Sequence, residues 1–223
     1  MNLEKEFKSF GTKHLGIPST TIESVINHQV ESSMTPYILE ERSLNVTQMD
    51  VFSRLMKDRL LFLNGVVDDR MSSIVSAQLL FLSSVDTRDI SMYIDSPGGS
   101  VKSGLTMVDM IQYIPCDVST VNMGICASMA SILLGSGTKG KRSSLRFSRT
   151  MLHQSSGGAG GNIQDAEISW KQWNKYNDIL FNLLGDFCGK TAEQVKADTS
   201  RDFWLDAQES IDYGIIDEII LKK

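Results

Sequence analysis

Apolar runs and helix-spaced apolar residues alternate along the chain from residue 59 onward. The runs that predict strands lie at 59–63, 90–94, 118–123, 145–151 and 215–221. Apolar residues at helical spacing predict helices at 72–83, 100–113 and 127–134, and a short amphipathic helix at 51–57. Because strands alternate with helices, we predict an α/β fold with parallel strand pairing.

One predicted helix is much longer than the others. Apolar and aromatic residues recur near helical spacing from Ile163 to Phe187, a span of roughly 37 Å at about 1.5 Å per residue. A single compact domain does not need this length, so we expect the helix to project and to pack on a partner subunit. Beyond it, the pairs Thr191/Gln194 and Asp206/Glu209 have capping-box spacing and predict two short helices.

The N-terminal residues have a different pattern. Positions 1–36 are polar and are interrupted by Gly16, Pro18 and Pro36. We predict some helix at 20–28 and an extended stretch at 37–45. The chain therefore divides into an N-terminal extension at 1–49 and a folded domain at 50–223.

Charge and cysteine content narrow the class of protein. The chain has 223 residues and a net charge of −5, so it has no electrostatic attraction to nucleic acid or to an anionic membrane. Cys116, Cys126 and Cys188 form no CxxC pair, which favours a reducing compartment. No apolar stretch has the length of a membrane span or the form of a secretory signal. We expect a cytoplasmic protein with no metal and no other cofactor.

Ser128 lies where a predicted strand passes through small residues into an apolar helix. Unpaired N–H groups at a helix start can stabilise an oxyanion, so a serine here can act as a nucleophile. Serine is also a favoured helix N-cap, and the position alone is better explained as a cap. The segment is not the GxSxG motif of α/β-hydrolases, because Cys126 and Ala130 replace its glycines.

His153 is the only histidine of the predicted α/β region, since His14 and His28 lie in the extension. It follows a predicted strand and precedes the glycine-rich segment 157–161, a location where catalytic groups are commonly held. A lone histidine is more often a hydrogen-bonded structural residue, so both interpretations remain open.

Three aspartates could orient such a histidine, namely Asp198, Asp202 and Asp206. The local sequence does not separate them, although Asp206 is best explained as a helix cap.

Two glycine-rich turns have the composition of ligand-binding loops. In the first, Gly98 and Gly99 follow a predicted strand and let backbone N–H groups approach a ligand, although a tight Pro-Gly turn is the simpler explanation. The second, at 135–141, has the spacing of a phosphate-binding loop. Arg142 replaces the Ser/Thr that would bind magnesium, and a helix rather than a strand precedes the turn. We therefore expect no ATPase activity in this chain.

Four short segments, considered together, carry a family pattern. They are YIDSPGG at 93–99, MGICASMA at 123–130, SRTMLHQ at 148–154 and DTSRDFWL at 198–205. In this order they resemble the ClpP family, the proteolytic subunits of Clp proteases. The resemblance extends from about Ser53 to Leu221, and four ordered motifs make it specific.

The resemblance implies roles for five residues. Ser128 would be the nucleophile, His153 its general base, and Asp202 would orient the imidazole. The backbone amides of Gly99 and Met129 would form the oxyanion hole.

Four further positions match contact surfaces of the family. Tyr93, Met123 and Leu145 match apolar positions of the pocket that receives the docking loops of the partner ATPase. Arg201 matches a position that helps to join two rings.

The resemblance also implies an architecture. The fold would be a crotonase-like spiral of strand–strand–helix units, with the projecting handle at about 154–187. Two heptameric rings of one chain would enclose a chamber, and a AAA+ unfoldase of the ClpX or ClpA/ClpC type would feed it unfolded polypeptides. The N-terminal extension would include an axial-pore segment and could include a propeptide.

Three residues depart from the family pattern. Ser155 and Arg146 stand where the family usually has proline, and Ser143 stands where an aromatic residue is usual. The proline replacements could affect the rigidity of the cleft and ring packing, and Ser143 could alter ATPase docking.

Two alternatives to an active serine endopeptidase stay open. One is a catalytically weak or inactive ring subunit that scaffolds an active homologue. The other is a crotonase-like acyl-CoA enzyme, which would rely on oxyanion amides and carboxylates instead of a Ser/His/Asp set.

Overall fold

The computed structural model describes residues 37–42, 45–157 and 161–221. The chain divides into two compact units, Met1–Leu55 and Met56–Lys223. In the first unit, strands β1 (Tyr37–Arg42) and β2 (Asn45–Asp50) pair antiparallel. The sequence predicted only an extended stretch there. The helix predicted at 20–28 lies outside the described residues, and the division of the chain at residue 49 stays a prediction.

The strands of the second unit form one seven-stranded sheet. They are β3 (Leu60–Asn64), β4 (Ile90–Ser96), β5 (Val118–Ala127), β6 (Arg142–Leu145), β7 (Arg149–Leu152), β8 (Phe203–Leu205) and β9 (Glu218–Ile220). The order β3-β4-β5-β6-β9 is parallel throughout, β7 is parallel to β5, and β8 is antiparallel to β7. The predicted α/β fold with parallel pairing is therefore confirmed.

Seven helices occur within the described ranges. They are α1 (Val51–Lys57), α2 (Asp69–Val85), α3 (Val101–Tyr113), α4 (Met129–Gly135), α5 (Ile163–Cys188), α6 (Ala192–Asp198) and α7 (Ala207–Tyr213). Both predicted capping boxes are confirmed, because Thr191 and Asp206 each exchange hydrogen bonds with the residue three positions later. Helix α5 has 26 residues, close to the predicted length.

The hydrophobic core lies on one face of the sheet. Leu61 and Leu63 of β3 and Met92 and Ile94 of β4 are fully buried, while the residues between them are partly exposed. This alternation is expected for strands that have one face covered. The buried face packs against α2, α3, α4 and part of α5.

Only one end of α5 belongs to this core. All residues of α5 are described, and the buried ones lie between Leu180 and Gly185. Ile163, Ile168 and Trp170, nearer its start, are exposed.

The single strand predicted at 145–151 is wrong. Residues Thr120–Asn122 of β5 pair with β6, whereas residues Ile125–Ala127 pair with β7. The chain turns between the two short strands, where Ser148 N donates to Leu145 O at 3.1 Å. The exposed Phe147 side chain sits in this turn and made the apolar run look continuous.

Candidate active site

Ser128 occupies the sharp turn from β5 into α4. It stands at the N-cap position, but its side chain makes no capping hydrogen bond. Its backbone has φ 55° and ψ −124°, a conformation that a residue with a Cβ rarely adopts. Strained turns of this kind persist where the surrounding structure holds them and are concentrated at functional sites. The simple cap interpretation of Ser128 therefore does not describe this side chain.

The Ser128 side chain, which makes no capping hydrogen bond, contacts His153 instead. His153 Nε2 lies 2.7 Å from Ser128 Oγ. Strand β7 runs parallel to the end of β5, so both strands deliver their next residues to the same edge of the sheet. The backbone joins the two segments directly, because Ser128 N donates to Met151 O at 2.9 Å. The imidazole can thus accept the hydroxyl proton of Ser128.

The antiparallel pairing of β7 with β8 decides which of the three candidate aspartates lies beside His153. Leu152 pairs with Phe203, so the residue after β7 lies opposite the residue before β8. Asp202 Oδ1 is accordingly 3.4 Å from His153 Nδ1. By contrast, Asp198 accepts a hydrogen bond from Tyr213 at 3.1 Å, and Asp206 caps α7, as predicted.

The Gly98–Gly99 turn packs against the Ser128 turn. Gly98 has φ 88°, and a Cβ there would lie 2.5 Å from Ala127 O and 2.7 Å from Ser128 Cβ. Only glycine allows this approach. The segment is anchored on its other side, because Val67 N donates to Gly98 O at 2.9 Å and Ser100 N donates to Val67 O at 2.8 Å.

Gly99 and Met129 both line the cleft that contains Ser128 and His153. Met129 is the first residue of α4, and the first N–H groups of a helix have no acceptor within it. Backbone amides beside a nucleophile stabilise an oxyanion, and the assignment of Gly99 and Met129 to this role stays a prediction.

The cleft has a cavity volume of about 60 Å³ and is open to solvent. Its walls combine polar residues with apolar side chains of α4 and of the buried end of α5, among them Ile132, Leu180 and Phe181. Among the described residues that line it, none is an aspartate or a glutamate. The α5 wall was not assigned to the site from the sequence, although its helical periodicity predicted a buried face there.

The model of the Clp protease family matches residues 43–223. The chain belongs to the Clp protease family. Its relatives include two proteins named ATP-dependent Clp protease proteolytic subunit, from Bacteroides fragilis strain YCH46 and from Porphyromonas gingivalis strain W83. The first is 49% identical over 98% of this chain and 99% of its own length, and the second is 46% identical over 97% and 98%. A protein of the same name from Bacteroides thetaiotaomicron is 48% identical over 98% of this chain.

The positions that the Clp protease resemblance assigned to ATPase docking share the sheet face opposite the core. Tyr93, Met123 and Leu145 are partly or fully exposed on β4, β5 and β6. The ring of Tyr93 stacks on Phe62 with centroids 5.3 Å apart. Ser143 belongs to the same row, because it pairs with Val121, which pairs with Tyr93. Ser143 is only 4% exposed, so an aromatic side chain there must displace its neighbours.

Arg201 is exposed next to Asp202, and its predicted role in joining rings stays a prediction. Within the described residues, no helix is both long enough and apolar enough to cross a membrane.

Proposed function

We propose that the chain is a serine endopeptidase that hydrolyses peptide bonds of unfolded polypeptides. The observation that carries this proposal is the 2.7 Å contact between Ser128 Oγ and His153 Nε2, on a turn whose serine makes no cap. The names of the relatives, proteolytic subunits of a Clp protease, agree with it.

The proposed chemistry begins at Ser128. His153 Nε2 takes the hydroxyl proton while Oγ forms a bond to the carbonyl carbon of the substrate. The negative charge that develops on the carbonyl oxygen is stabilised by the N–H groups of Gly99 and Met129, and each such donor typically contributes about 10²–10³ in kcat. Asp202 stabilises the imidazolium and holds its orientation.

The tetrahedral intermediate then breaks its C–N bond. The leaving amine takes the proton from His153 Nε2, and the acyl group stays on Ser128 Oγ. A water molecule gives its proton to His153 and attacks the ester, and the serine recovers its proton as the acid product leaves. No metal or other cofactor takes part in these steps.

The proposal includes an assembly. The relatives are described as subunits of an ATP-dependent protease, and the exposed Ile163, Ile168 and Trp170 of α5 offer apolar surface for a second copy of the chain. We infer an oligomer of two heptameric rings of one chain, joined at α5 and near Arg201, that encloses the cleft in a chamber.

A separate ATPase would supply the substrate, because the relatives are named as subunits of an ATP-dependent protease and the turn at 135–141 has Arg142 in place of the Ser/Thr of a phosphate-binding loop. Its type would be that of ClpX, ClpA or ClpC, and it would dock on the sheet face of Tyr93, Met123 and Leu145. A cytoplasmic location fits these partners and stays a prediction.

Labelling with a fluorophosphonate tests the proposal, because the reagent phosphonylates only an activated serine. The assembled wild-type protein is treated, and the adduct is mapped by mass spectrometry of its peptides. We expect one adduct, on Ser128, and its loss in His153→Ala, while Ser131→Ala, a change in a cleft serine whose hydroxyl bonds Ser128 O at 2.6 Å, keeps it. A well-assembled wild-type protein without an adduct would contradict the proposal and favour a scaffolding subunit.

A further inference from the structure

The segment that follows His153 is attached to α5 by three hydrogen bonds that converge on Ser155. Ser155 N donates to Asn177 Oδ1 at 3.1 Å, and Ser155 Oγ lies 2.7 Å from the same oxygen. Trp173 Nε1 donates to Ser155 Oγ at 2.8 Å. We call Ser155, Trp173 and Asn177 the Ser155 clamp.

The direction of each bond in the Ser155 clamp is fixed by chemistry. An indole N–H and a backbone N–H can only donate. Ser155 Oγ therefore accepts from Trp173 and gives its own proton to Asn177 Oδ1, which also accepts from Ser155 N. Both groups of Ser155 are used at once, and the amide of Asn177 has a single orientation.

Packing reinforces these bonds. Trp173 and Asn177 are four residues apart on α5 and so share one face of the helix. The backbone at Gly157 lies directly on the Trp173 ring, because a Cβ at this position would overlap the indole. The chain from Ser155 to Gly157 therefore runs flat against α5.

The Ser155 clamp lies at the candidate active site. Ser155 and Asn177 line the same cleft as Ser128 and His153, and Ser155 is two residues after the histidine. The residue between them, Gln154, makes longer bonds, with its N–H 3.3 Å from Thr199 O and its Nε2 3.4 Å from Ser200 O. A proline at 155 would have neither the backbone N–H nor the hydroxyl, so its rigidity could not produce this attachment.

We propose that Ser155 is a positioning residue for the reaction. It ties the chain after His153 to α5 and thereby holds the imidazole near Ser128. This inference rests on the proposed function. In this chain the hydrogen-bonded clamp supplies the rigidity that a proline would supply through its ring.

The test compares variants of the full, assembled chain. Ser155→Ala removes two of the three bonds, Asn177→Ala removes the common acceptor, and Ser155→Thr keeps the hydroxyl and the N–H. The readouts are the rate of fluorophosphonate labelling at Ser128, and kcat and KM for a short fluorogenic peptide. We expect labelling and kcat to fall about tenfold in both alanine variants, with a much smaller change in KM, because the geometry of reaction is disturbed more than binding.

Two comparisons separate positioning from a general loss of structure. Ser155→Thr should label at nearly the wild-type rate. Ser155→Ala combined with Asn177→Ala should be slowed by less than the product of the two single effects, because both changes break the bond between Ser155 Oγ and Asn177 Oδ1. Asn182→Ala is the matched control, since the Asn182 side chain is exposed on the same helix and bonds only Asp178 O, at 2.8 Å.

Wild-type labelling in Ser155→Ala, multiplied effects in the double variant, or a threonine variant as slow as alanine would each overturn the inference and leave the proposed function standing. A wild-type protein that does not label at Ser128 would instead overturn the proposed function, and the inference with it.

Discussion

The two residues that contact the His153 imidazole, Ser128 and Asp202, differ in how firmly the fold fixes them. On one side, Ser128 Oγ is 2.7 Å away on a turn packed against Gly98 and hydrogen-bonded to β7. On the other side, Asp202 Oδ1 is 3.4 Å away, and its side chain is 64% exposed. The single chain thus fixes the proposed nucleophile and its proposed base, while the carboxylate lies at the surface, open to whatever covers residue 202 in the proposed assembly.

The cause lies in the strands that carry each group. Ser128 follows the ten-residue β5, a central strand with partners on both sides. Asp202 precedes β8, which has three residues and, among the strands that the structure describes, pairs only with β7. A short strand at the end of a sheet fixes its neighbours less firmly, because fewer hydrogen bonds and contacts must break for it to move.

The largest expected loss of activity comes from a substitution that displaces the Ser128 turn. In Gly98→Ala the new methyl group meets Ala127 O and Ser128 Cβ, so either Ser128 or Gly98 must move. We expect labelling of Ser128 to fall by about 100-fold or more, because displacement of a reacting group by about 1 Å can cost this much. The rate of labelling in the assembled protein measures it.

Gly65→Ala is the matched control for this change. Gly65 also has φ 88°, but nothing lies within 4 Å of its added Cβ. Both variants place an alanine at a φ of 88°, and only Gly98→Ala adds an overlap with neighbouring atoms. Equal loss of labelling in the two variants would show that strain alone is responsible and would contradict the packing explanation.

A smaller effect is expected on the Asp202 side. Asp202→Asn should lower kcat by about 10- to 100-fold, well below the roughly 10⁴-fold contribution of a buried triad aspartate, because the Asp202 side chain is 64% exposed and 3.4 Å from His153 Nδ1. Asp198→Asn is the control, since Asp198 bonds Tyr213 instead. If the assembly leaves Asp202 exposed, 1 M salt should weaken its effect, because the screening length is then about 3 Å.

A loss in Asp198→Asn equal to that in Asp202→Asn would contradict the assignment of the acid. A loss in Asp202→Asn as complete as that in His153→Ala would show that the assembly encloses the carboxylate and removes the contrast between the two contacts.

The smallest effect on the site is expected from Asp217, a carboxylate that is partly buried and far better covered than Asp202. Asp217 pairs with Arg142 at 2.6 Å, with side chains 20% and 3% exposed. Burial raises the pKa of Asp217, but the hydrogen bonds and charge of Arg142 outweigh burial and hold that pKa below its ordinary value. The charged form therefore stabilises the folded state above the unfolded pKa of about 3.9, and this stabilisation is lost as pH falls through the folded value.

Asp217→Asn should lower the free energy of unfolding by about 2 kcal/mol at pH 7, while the folded variant still labels at Ser128. The difference from wild type should shrink as the pH falls below about 4. Denaturant unfolding at several pH values measures both quantities, with the exposed Asp212→Asn as control. A difference that stays constant down to pH 3 would contradict the role of the charged pair.

The sequence predicted most elements because their patterns are local. The bounds of α1 match, and the capping boxes at Thr191 and Asp206 form as their spacing indicates. It failed at 145–151 and did not predict β8, because both depend on which strand lies alongside. The three residues of β8 include the exposed Trp204, and so short a segment has no readable periodicity.

In the candidate site, too, some features could be predicted from local sequence and others depend on tertiary contacts. The scarcity of histidine selected His153, but Ser128 by its own sequence was better explained as a cap. Neither the positive φ at Ser128 nor the missing cap bond can be read from the residues beside it, because both result from contacts with β7 and Gly98. The Ser155 clamp could not be predicted from local sequence either, since Trp173 and Asn177 lie 18 and 22 residues after Ser155 in the chain.

By itself the sequence determined the α/β alternation, the length of α5, and, through four ordered motifs, the family and its three candidate catalytic residues. These features are carried by local periodicity or by residue identity. Only the tertiary structure decided that Ser128 faces His153 instead of capping α4, that Asp202 lies 3.4 Å from the imidazole with an exposed side chain, and that Ser155 joins the chain after His153 to α5. Each of these depends on strand register or helix packing between segments far apart in the chain, and no local pattern encodes it.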